Sequence, residues 1–391
     1  MSATAEKARY FLEQSVPELK ELERRKLFTP QEITSIAKKR SDFEHKINAR
    51  GATPTDYARY AEFEVNVDQL RKKRVTRLGV KSTVYSGQRR VFFVFDRGMR
   101  KFPGDLKLWM QAIEYARSQQ ARKKVTQILA NVLRLHPAKS ELWIYAAQLA
   151  LDENGDMTEA RGYMQRGLRF CRNSKQLWMQ DFRLELMWIA KINARRRILG
   201  IQKDVTEEKS DTVDGADDGM LMLPKVTAED IVPDAEQMDK VDVTALEALE
   251  ATPIMTGAIP IAIFNAAVKQ IPNDAAFLFG FFQEAYLHND VQAMVDIRDH
   301  IAASLQAKHP QSWQVYAVEI ARAVSSTKPD DHRFPAALKD ALSAMTQRLM
   351  YTKEKVELTQ WCQGWIERLL QGDLDPALKM VLQSQLQALR A

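Results

Sequence analysis

Apolar residues recur along most of the chain at the three-to-four residue spacing of amphipathic α-helices. Val84, Val91, Phe92, Phe95 and Met99 form one such stripe, and the chain has no segment with the strict alternation of a β-strand. The pattern predicts a protein that is almost wholly α-helical.

Helix start signals strengthen this prediction near the amino terminus. Thr29 and Thr53 are each followed by a proline and, three residues later, by Glu32 and Asp56, which is the arrangement of a capping box. Ser15 begins a third start signal with a proline two residues later. We therefore expect helices to begin directly after these three residues.

Three tryptophans set a regular period. Trp109, Trp143 and Trp178 stand 34 and 35 residues apart, and Pro103 and Pro137 repeat at the same interval. A period of this length is typical of antiparallel helix pairs, which bury their apolar faces only by stacking on neighbouring pairs. The predicted fold class is an all-α solenoid of helix-pair repeats.

Aromatic residues at fixed repeat positions are interpreted as wedges between paired helices, because a large ring removes much surface from water. Base stacking on RNA is the less favoured interpretation. The predicted repeat core comprises Tyr57, Tyr60, Trp109, Trp143, Trp178, Trp313 and Tyr316.

The periodic pattern divides the chain into four predicted segments. An amino-terminal helical region covers residues 1–52, repeats cover 53–202 and further repeats cover 252–391. Between them, residues 203–251 lose the periodicity, and residues 201–252 carry 15 Asp and Glu against 4 Lys and Arg. This composition predicts a mostly disordered acidic linker.

Charge is distributed unevenly, since residues 1–200 carry 40 Lys and Arg against 22 Asp and Glu. Such a basic half suits a nucleic acid or an acidic protein partner, although solvated helix faces explain it almost as well. No apolar run is long enough to span a membrane, and Cys171 and Cys362 are too few for a disulfide framework. We expect a soluble protein in a reducing compartment.

The chain contains no glycine-rich phosphate loop and no GxSxG, HExxH or CxxC motif, and its six histidines do not cluster. We therefore expect no catalytic residues, no metal and no cofactor.

Two basic clusters are candidate contacts for RNA or a partner. The first could follow a phosphate backbone or serve as a nuclear import signal, and a solvated helix face is about as plausible. The second lies near a predicted helix end, where positive charge also complements the helix dipole. The candidate residues are Arg71, Lys72, Lys73, Arg74, Arg77 and Lys81, and Arg195, Arg196 and Arg197.

The repeat resembles the half-a-TPR (HAT) repeat, in which an aromatic residue opens the first helix and a glutamate follows. Tyr57 to Glu64, Trp109 to Glu114 and Trp313 to Glu319 have this form. HAT proteins belong almost entirely to RNA-processing assemblies, so the resemblance implies that setting.

A more specific resemblance covers about the first 75 residues, which are similar to the U3 small nucleolar RNA-associated protein 6 family. The residues that carry it are Tyr10 to Gln14, Pro17 to Leu19, Leu27 to Thr29, Glu32-Ile33, Lys39-Arg40, Phe43-Glu44, Asp56-Tyr57, Tyr60, Glu64 and Leu70-Arg71.

This family resemblance implies a non-catalytic scaffold in the nucleus and nucleolus, within the UTP-B subcomplex of the small-subunit processome. It implies β-propeller protein partners, with pre-ribosomal RNA and the U3 small nucleolar RNA nearby, and neither a membrane nor a small-molecule substrate. The alternatives are a HAT subunit of a splicing or polyadenylation complex, expected to form a homodimer, and an enzyme of unrecognised type.

Overall fold

The structure is a computed structural model that describes residues 3–79, 87–198, 256–287, 292–325, 327, 332–372 and 374–390. Within these ranges every regular element is an α-helix, and consecutive helices pack against each other as pairs. The predicted fold class, an all-α array of helix pairs, is confirmed. None of the helices described is long and apolar enough to cross a membrane.

The chain forms two compact units, Met1–His136 and Pro137–Ala391. The helices of the first unit are α1 (Ala3–Glu13), α2 (Val16–Arg24), α3 (Pro30–Asn48), α4 (Pro54–Leu78), α5 (Gly87–Lys101), α6 (Leu106–Ser118) and α7 (Arg122–Leu135).

Helices α2, α3 and α4 begin where the start signals predict. At α3, the backbone N–H of Thr29 donates to Glu32 at 2.8 Å, and the N–H of Glu32 donates to the Thr29 hydroxyl at 3.3 Å. At α4, the N–H of Thr53 donates to Asp56 at 2.9 Å. These bonds satisfy amide groups that the first turn of a helix leaves without partners.

Within the first unit, α1 packs on α3, α4 on α5 and α6 on α7. Helix α4 has 25 residues. That length accounts for much of the interval of 52 residues (109 − 57) between Tyr57 and Trp109, which exceeds the spacing of the three tryptophans.

The second unit continues the succession of paired helices. It contains α8 (Ser140–Asn154), α9 (Met157–Phe170), α10 (Lys175–Ile198), α11 (Ala258–Gln270), α12 (Ala275–Tyr286), α13 (Gln292–Lys308), α14 (Trp313–Ser325), α15 (Phe334–Tyr351), α16 (Lys355–Gln371) and α17 (Pro376–Arg390).

Helix α10 packs directly on α11 and α12, although the acidic segment separates them in sequence. The rings of Phe182 and Phe281, both fully buried, lie edge to face with centroids 4.9 Å apart. Arg183 lies 3.7 Å from Glu284. Helical packing therefore resumes on α10 itself after the acidic segment.

The predicted linker, residues 203–251, lies outside the described residues. The compact units divide between His136 and Pro137, inside the predicted repeat segment 53–202. The four-segment organisation stays a prediction.

Candidate RNA and partner interface

One side-chain hydrogen bond recurs in the three tryptophan repeats. Trp109, Trp143 and Trp178 are each buried, and each indole N–H donates to the carbonyl six residues earlier, at 3.0, 2.9 and 2.8 Å. The acceptors are Pro103, Pro137 and Arg172. Each indole therefore anchors the start of its helix to the short connection that precedes it, while its ring fills the core.

Small residues give these rings room. A Cβ added to Gly167 in α9 would lie 2.8 Å from the Trp143 ring, and one added to Gly98 in α5 would lie 3.0 Å from the Tyr57 ring. Real Cβ atoms rarely approach so closely. The two glycines therefore allow close contact between the paired helices α8 and α9 and the paired helices α4 and α5.

The remaining predicted core aromatics differ in burial. Tyr57 and Tyr60 are almost completely buried, and Tyr60 stacks on Phe43 with centroids 5.1 Å apart. Trp313 and Tyr316 are only partly buried. Since all seven rings lie against other parts of the protein to some degree, base stacking gains no support from their positions.

Two members of the first basic cluster are engaged inside the protein. Arg71 is 8% exposed, and its Nε and Nη2 atoms lie 2.9 and 2.8 Å from Asp68. Arg74 makes two bonds to Glu32, at 2.8 and 2.6 Å, and a third to the Leu27 carbonyl at 2.8 Å. The prediction that these two arginines are available to contact phosphate is corrected, because their charges are already paired with the carboxylates of Asp68 and Glu32.

The Arg74 bonds also alter the acidity of their partner. They lower the pKa of Glu32 to about 2, assisted by the backbone N–H of Thr29. Arg74 therefore links α4 to the first turn of α3. Its role is in the fold, and a variant of Arg74 would disturb that link before it affected any RNA.

The exposed cations of this cluster are Lys72, Lys73 and Arg77. Lys72 Nζ lies 3.1 Å from Asp68 and donates to Gln119 at 2.9 Å, but half of its side chain remains exposed. Lys81 lies outside the described residues. Among the described residues of the first cluster, the candidate RNA contacts are therefore these three exposed cations.

The second basic cluster lies at the end of α10. Arg195 is half-buried and Arg196 is 7% exposed, and both make contacts within the protein. The side chain of Arg197 lies outside the described residues. The prediction that Arg196 contacts RNA at the surface is therefore corrected, because its side chain is buried.

A group of paired charges in the first unit was not predicted from the sequence, and we term it the buried charge network. It consists of Glu18, Arg40, Glu44, Glu64, Arg90 and Arg97. Arg40 is 1% exposed and bonds both oxygens of Glu64 at 2.8 Å. Arg40 also lies 3.5 Å from Glu18.

The other bonds of the network join α5 to α2 and α3. Arg90 bonds Glu18 at 3.0 Å, and Arg97 bonds Glu44 at 2.8 and 2.9 Å. Burial alone would lower the pKa of the Arg40 guanidinium, but the charges of Glu64 and Glu18 outweigh it and hold that pKa above its usual value. The network joins four helices, α2 to α5, by paired charges.

A sequence signal for the network existed. Arg40 and Glu44 fall on the stripe that Ile36 and Ile47 mark on α3, and all four residues are buried. A charged residue on an otherwise apolar helix face indicates a buried partner, since an isolated buried charge is very costly. The family signature contains Glu18, Arg40, Glu44 and Glu64, and these four charged positions belong to the core.

Comparison with known proteins bears on the same region. Residues 12–91 match the family model of U3 small nucleolar RNA-associated protein 6. The fission yeast protein of that name, from Schizosaccharomyces pombe, is 36% identical over 238 residues. Over these residues the chain is similar to this family.

The alignment with the Schizosaccharomyces pombe protein covers 58% of this chain and 49% of that protein. The human homologue is 32% identical over 189 residues, which are 47% of this chain and 32% of the human protein. A Dictyostelium discoideum homologue is 24% identical over 289 residues, which are 73% of this chain and 46% of that protein. The chain thus spans about half, or less, of the family members that it matches.

The family match covers much of the first unit. Five of the six network residues, all except Arg97, lie within residues 12–91. The region that matches the family model is therefore folded and contains buried paired charges, such as Arg40 with Glu64.

Proposed function

We propose that this protein is a non-catalytic scaffold of the small-subunit processome, acting in pre-18S ribosomal RNA processing in the nucleolus. The observation that carries the proposal is similarity to the U3 small nucleolar RNA-associated protein 6 family, whose curated members are named for association with that RNA. The paired helices support it, because stacked helix pairs offer long surfaces for protein partners.

Protein binding is the principal activity in this proposal, with β-propeller proteins of the UTP-B subcomplex as partners. One groove suited to a partner lies in the first unit, where Arg59 of α4, Phe95 of α5 and Tyr115 of α6 help to line a cavity of about 530 Å³. The groove is lined by both apolar and polar residues, as protein-binding surfaces are.

RNA contact is secondary and electrostatic. Lys72, Lys73 and Arg77 are exposed on α4 and supply positive charge without an aromatic platform for bases. Contacts of this kind follow the phosphate backbone, carry little sequence information and weaken steeply with salt.

The deciding experiment is purification of the tagged protein from its own cells, followed by identification of proteins and RNA. We expect the U3 small nucleolar RNA, pre-ribosomal RNA and β-propeller proteins. Recovery of splicing or polyadenylation subunits with a stable homodimer would establish the alternative instead.

A second experiment separates the two activities. The triple variant Lys72→Gln, Lys73→Gln and Arg77→Gln should reduce crosslinking to RNA and leave β-propeller partners bound. Arg71 and Arg74 are kept, because their ion pairs belong to the fold. Loss of protein partners with unchanged RNA crosslinking would make this surface a protein-docking site.

The matched control removes three exposed cations from α7 in the same unit, through Arg122→Gln, Lys123→Gln and Arg134→Gln. It changes the net charge equally. RNA crosslinking should therefore remain closer to that of the unmodified protein.

A further inference from the structure

A second concentration of positive charge lies in a pocket of about 330 Å³ in the first unit. We term it the cation pocket. It forms where the ends of α3 and α5 meet α1 and α4, and none of the described residues that line it is acidic. Its four cationic lining residues are Lys7, Arg97, Arg100 and Lys101.

Two of these cations are held in place by the fold. Arg97 bonds Glu44 at 2.8 and 2.9 Å, and its guanidinium lies over the Phe11 ring, 3.9 Å from the centroid. The Lys101 ammonium donates to the Ile47 carbonyl at 2.8 Å. Side chains fixed in this way can receive a ligand with little further loss of conformational freedom.

The other two cations, Lys7 and Arg100, are exposed. Glu44 neutralises only one of the four charges, since a carbonyl partner leaves the charge of Lys101 intact. Like charges gathered at one pocket repel each other and weaken the folded state. A bound anion would remove that cost.

We propose that the cation pocket binds a phosphodiester group of RNA. A phosphate offers several acceptor oxygens to one point, where guanidinium groups bind it in a fixed geometry and ammonium groups add charge. An acidic protein segment distributes its carboxylates along its length and would fit an extended surface better than a pocket.

The aromatic residues of the cation pocket leave no ring for a base. Tyr57 is 3% exposed, and Arg97 covers the face of Phe11. Binding is therefore to the backbone and independent of sequence. The inference goes beyond the proposed function, because it concerns a pocket distinct from Lys72, Lys73 and Arg77 and holds for any RNA that reaches it.

The test uses the full chain and a short fluorescent oligouridylate, with binding followed by fluorescence anisotropy over a range of salt. The double variant Lys7→Gln and Arg100→Gln removes only the exposed cations, so the fold should be retained. We expect Kd to rise on the order of tenfold, and the slope of log Kd against log salt to fall by about 1.4, which corresponds to two lost phosphate contacts.

The control variant Arg122→Gln and Lys123→Gln also removes one arginine and one lysine, both exposed on α7. It should leave Kd within about twofold of the unmodified protein, since neither residue lines the pocket. Equal weakening by both double variants would show general charge attraction and overturn the proposal.

Two further measurements decide between ligand classes and locate the site. Oligoglutamate should compete poorly with the oligouridylate, and ultraviolet crosslinking followed by mass spectrometry should place uridine on peptides of α1 or α5. No RNA binding by the unmodified protein, an unchanged Kd in the pocket variant, or pocket-dependent binding of oligoglutamate alone would each overturn the proposal.

Discussion

The amino-terminal helices and the tryptophan repeats use the same helix-pair packing with opposite interior chemistry. Helices α2 to α5 surround the buried charge network, in which Arg40 is 1% exposed. Helices α6, α8 and α10 each bury an indole instead, such as Trp143, that also donates to a carbonyl of the connection before the helix. Similar packing does not require a similar core.

The two kinds of interior differ in which substitutions they tolerate. An apolar wedge tolerates replacement by another large apolar residue at modest cost, because volume is most of what it supplies. A buried ion pair is different, since removal of one partner leaves the other charge in the interior. The charged region should therefore be the more sensitive to single substitutions.

Arg40→Ala is one of the two substitutions with the largest expected effect. It leaves Glu64, which is 2% exposed, without its bidentate partner. The free energy of unfolding should fall by about 3 to 5 kcal/mol. Chemical denaturation of the purified chain measures this change.

Lys38→Ala on the same helix is the control, because Lys38 is exposed, and its effect should stay within about 0.5 kcal/mol. The double variant Arg40→Met and Glu64→Met removes both charges and should recover most of the loss. A mild effect of Arg40→Ala alone would mean that the network adds little to stability.

In the other region, Trp143→Ala should lower the free energy of unfolding by about 3 to 5 kcal/mol through the cavity it leaves. Trp143→Phe keeps most of the ring but removes the bond to the Pro137 carbonyl, and should cost about 1 to 3 kcal/mol. Equal losses from the two variants would assign the effect to the hydrogen bond and not to the volume.

The contact between Gly167 of α9 and the Trp143 ring should give a smaller change in stability. Gly167→Ala would bring a Cβ to 2.8 Å from the Trp143 ring and should destabilise the protein by about 1 to 3 kcal/mol. Gly162→Ala in the same helix meets no atom closer than 3.7 Å and should stabilise it by up to about 1 kcal/mol. Thermal unfolding of both variants should give shifts of opposite sign.

The last expected effect is one on pH dependence. Burial, with a further contribution from Glu185, raises the pKa of Asp181 to about 7, although Arg161 acts in the opposite direction. Arg161 is engaged in a bidentate pair with Glu185, at 2.6 and 2.7 Å. Asp181 thus contrasts with Glu64, whose charge Arg40 matches directly.

Because the folded state binds the Asp181 proton more tightly than the unfolded chain does, stability is greatest below the unfolded pKa of about 4 and is lost as pH rises towards 7. The slope cannot exceed about 1.4 kcal/mol per pH unit for one group. Asp181→Asn should flatten the stability profile between pH 5 and 7, measured by denaturation at each pH. An unchanged profile would place the titration elsewhere.

The lysine and arginine cluster on α4 shows how far sequence reasoning could have gone. Tyr57, Tyr60, Glu64 and Arg71 all follow the helical spacing of one buried face. Extending that stripe would have placed Arg71 inside the protein and Lys72 and Lys73 outside. Composition alone groups these basic residues together, whereas their positions on the helix separate the buried Arg71 from the exposed Lys72 and Lys73.

The sequence by itself determined the features that depend on nearby residues: helix starts at Thr29 and Thr53, the 34-residue period, and which aromatic residues fill the repeats. Capping and amphipathic spacing act over a few residues, so the chain records them directly. The residues that resemble the family could also be recognised from the sequence, because they occur in a fixed order.

Only the tertiary structure decided which charges face each other. The stripe on α3 places Arg40 on the buried face, but only the packing of α4 brings Glu64 to it. Lys7 joins Arg100 at one pocket only because α1 packs on α3 beside the end of α5. The free energy of a charge depends on groups that are distant in sequence and close in space, through burial and Coulomb interaction. The local sequence pattern does not determine how close such groups lie in the folded protein.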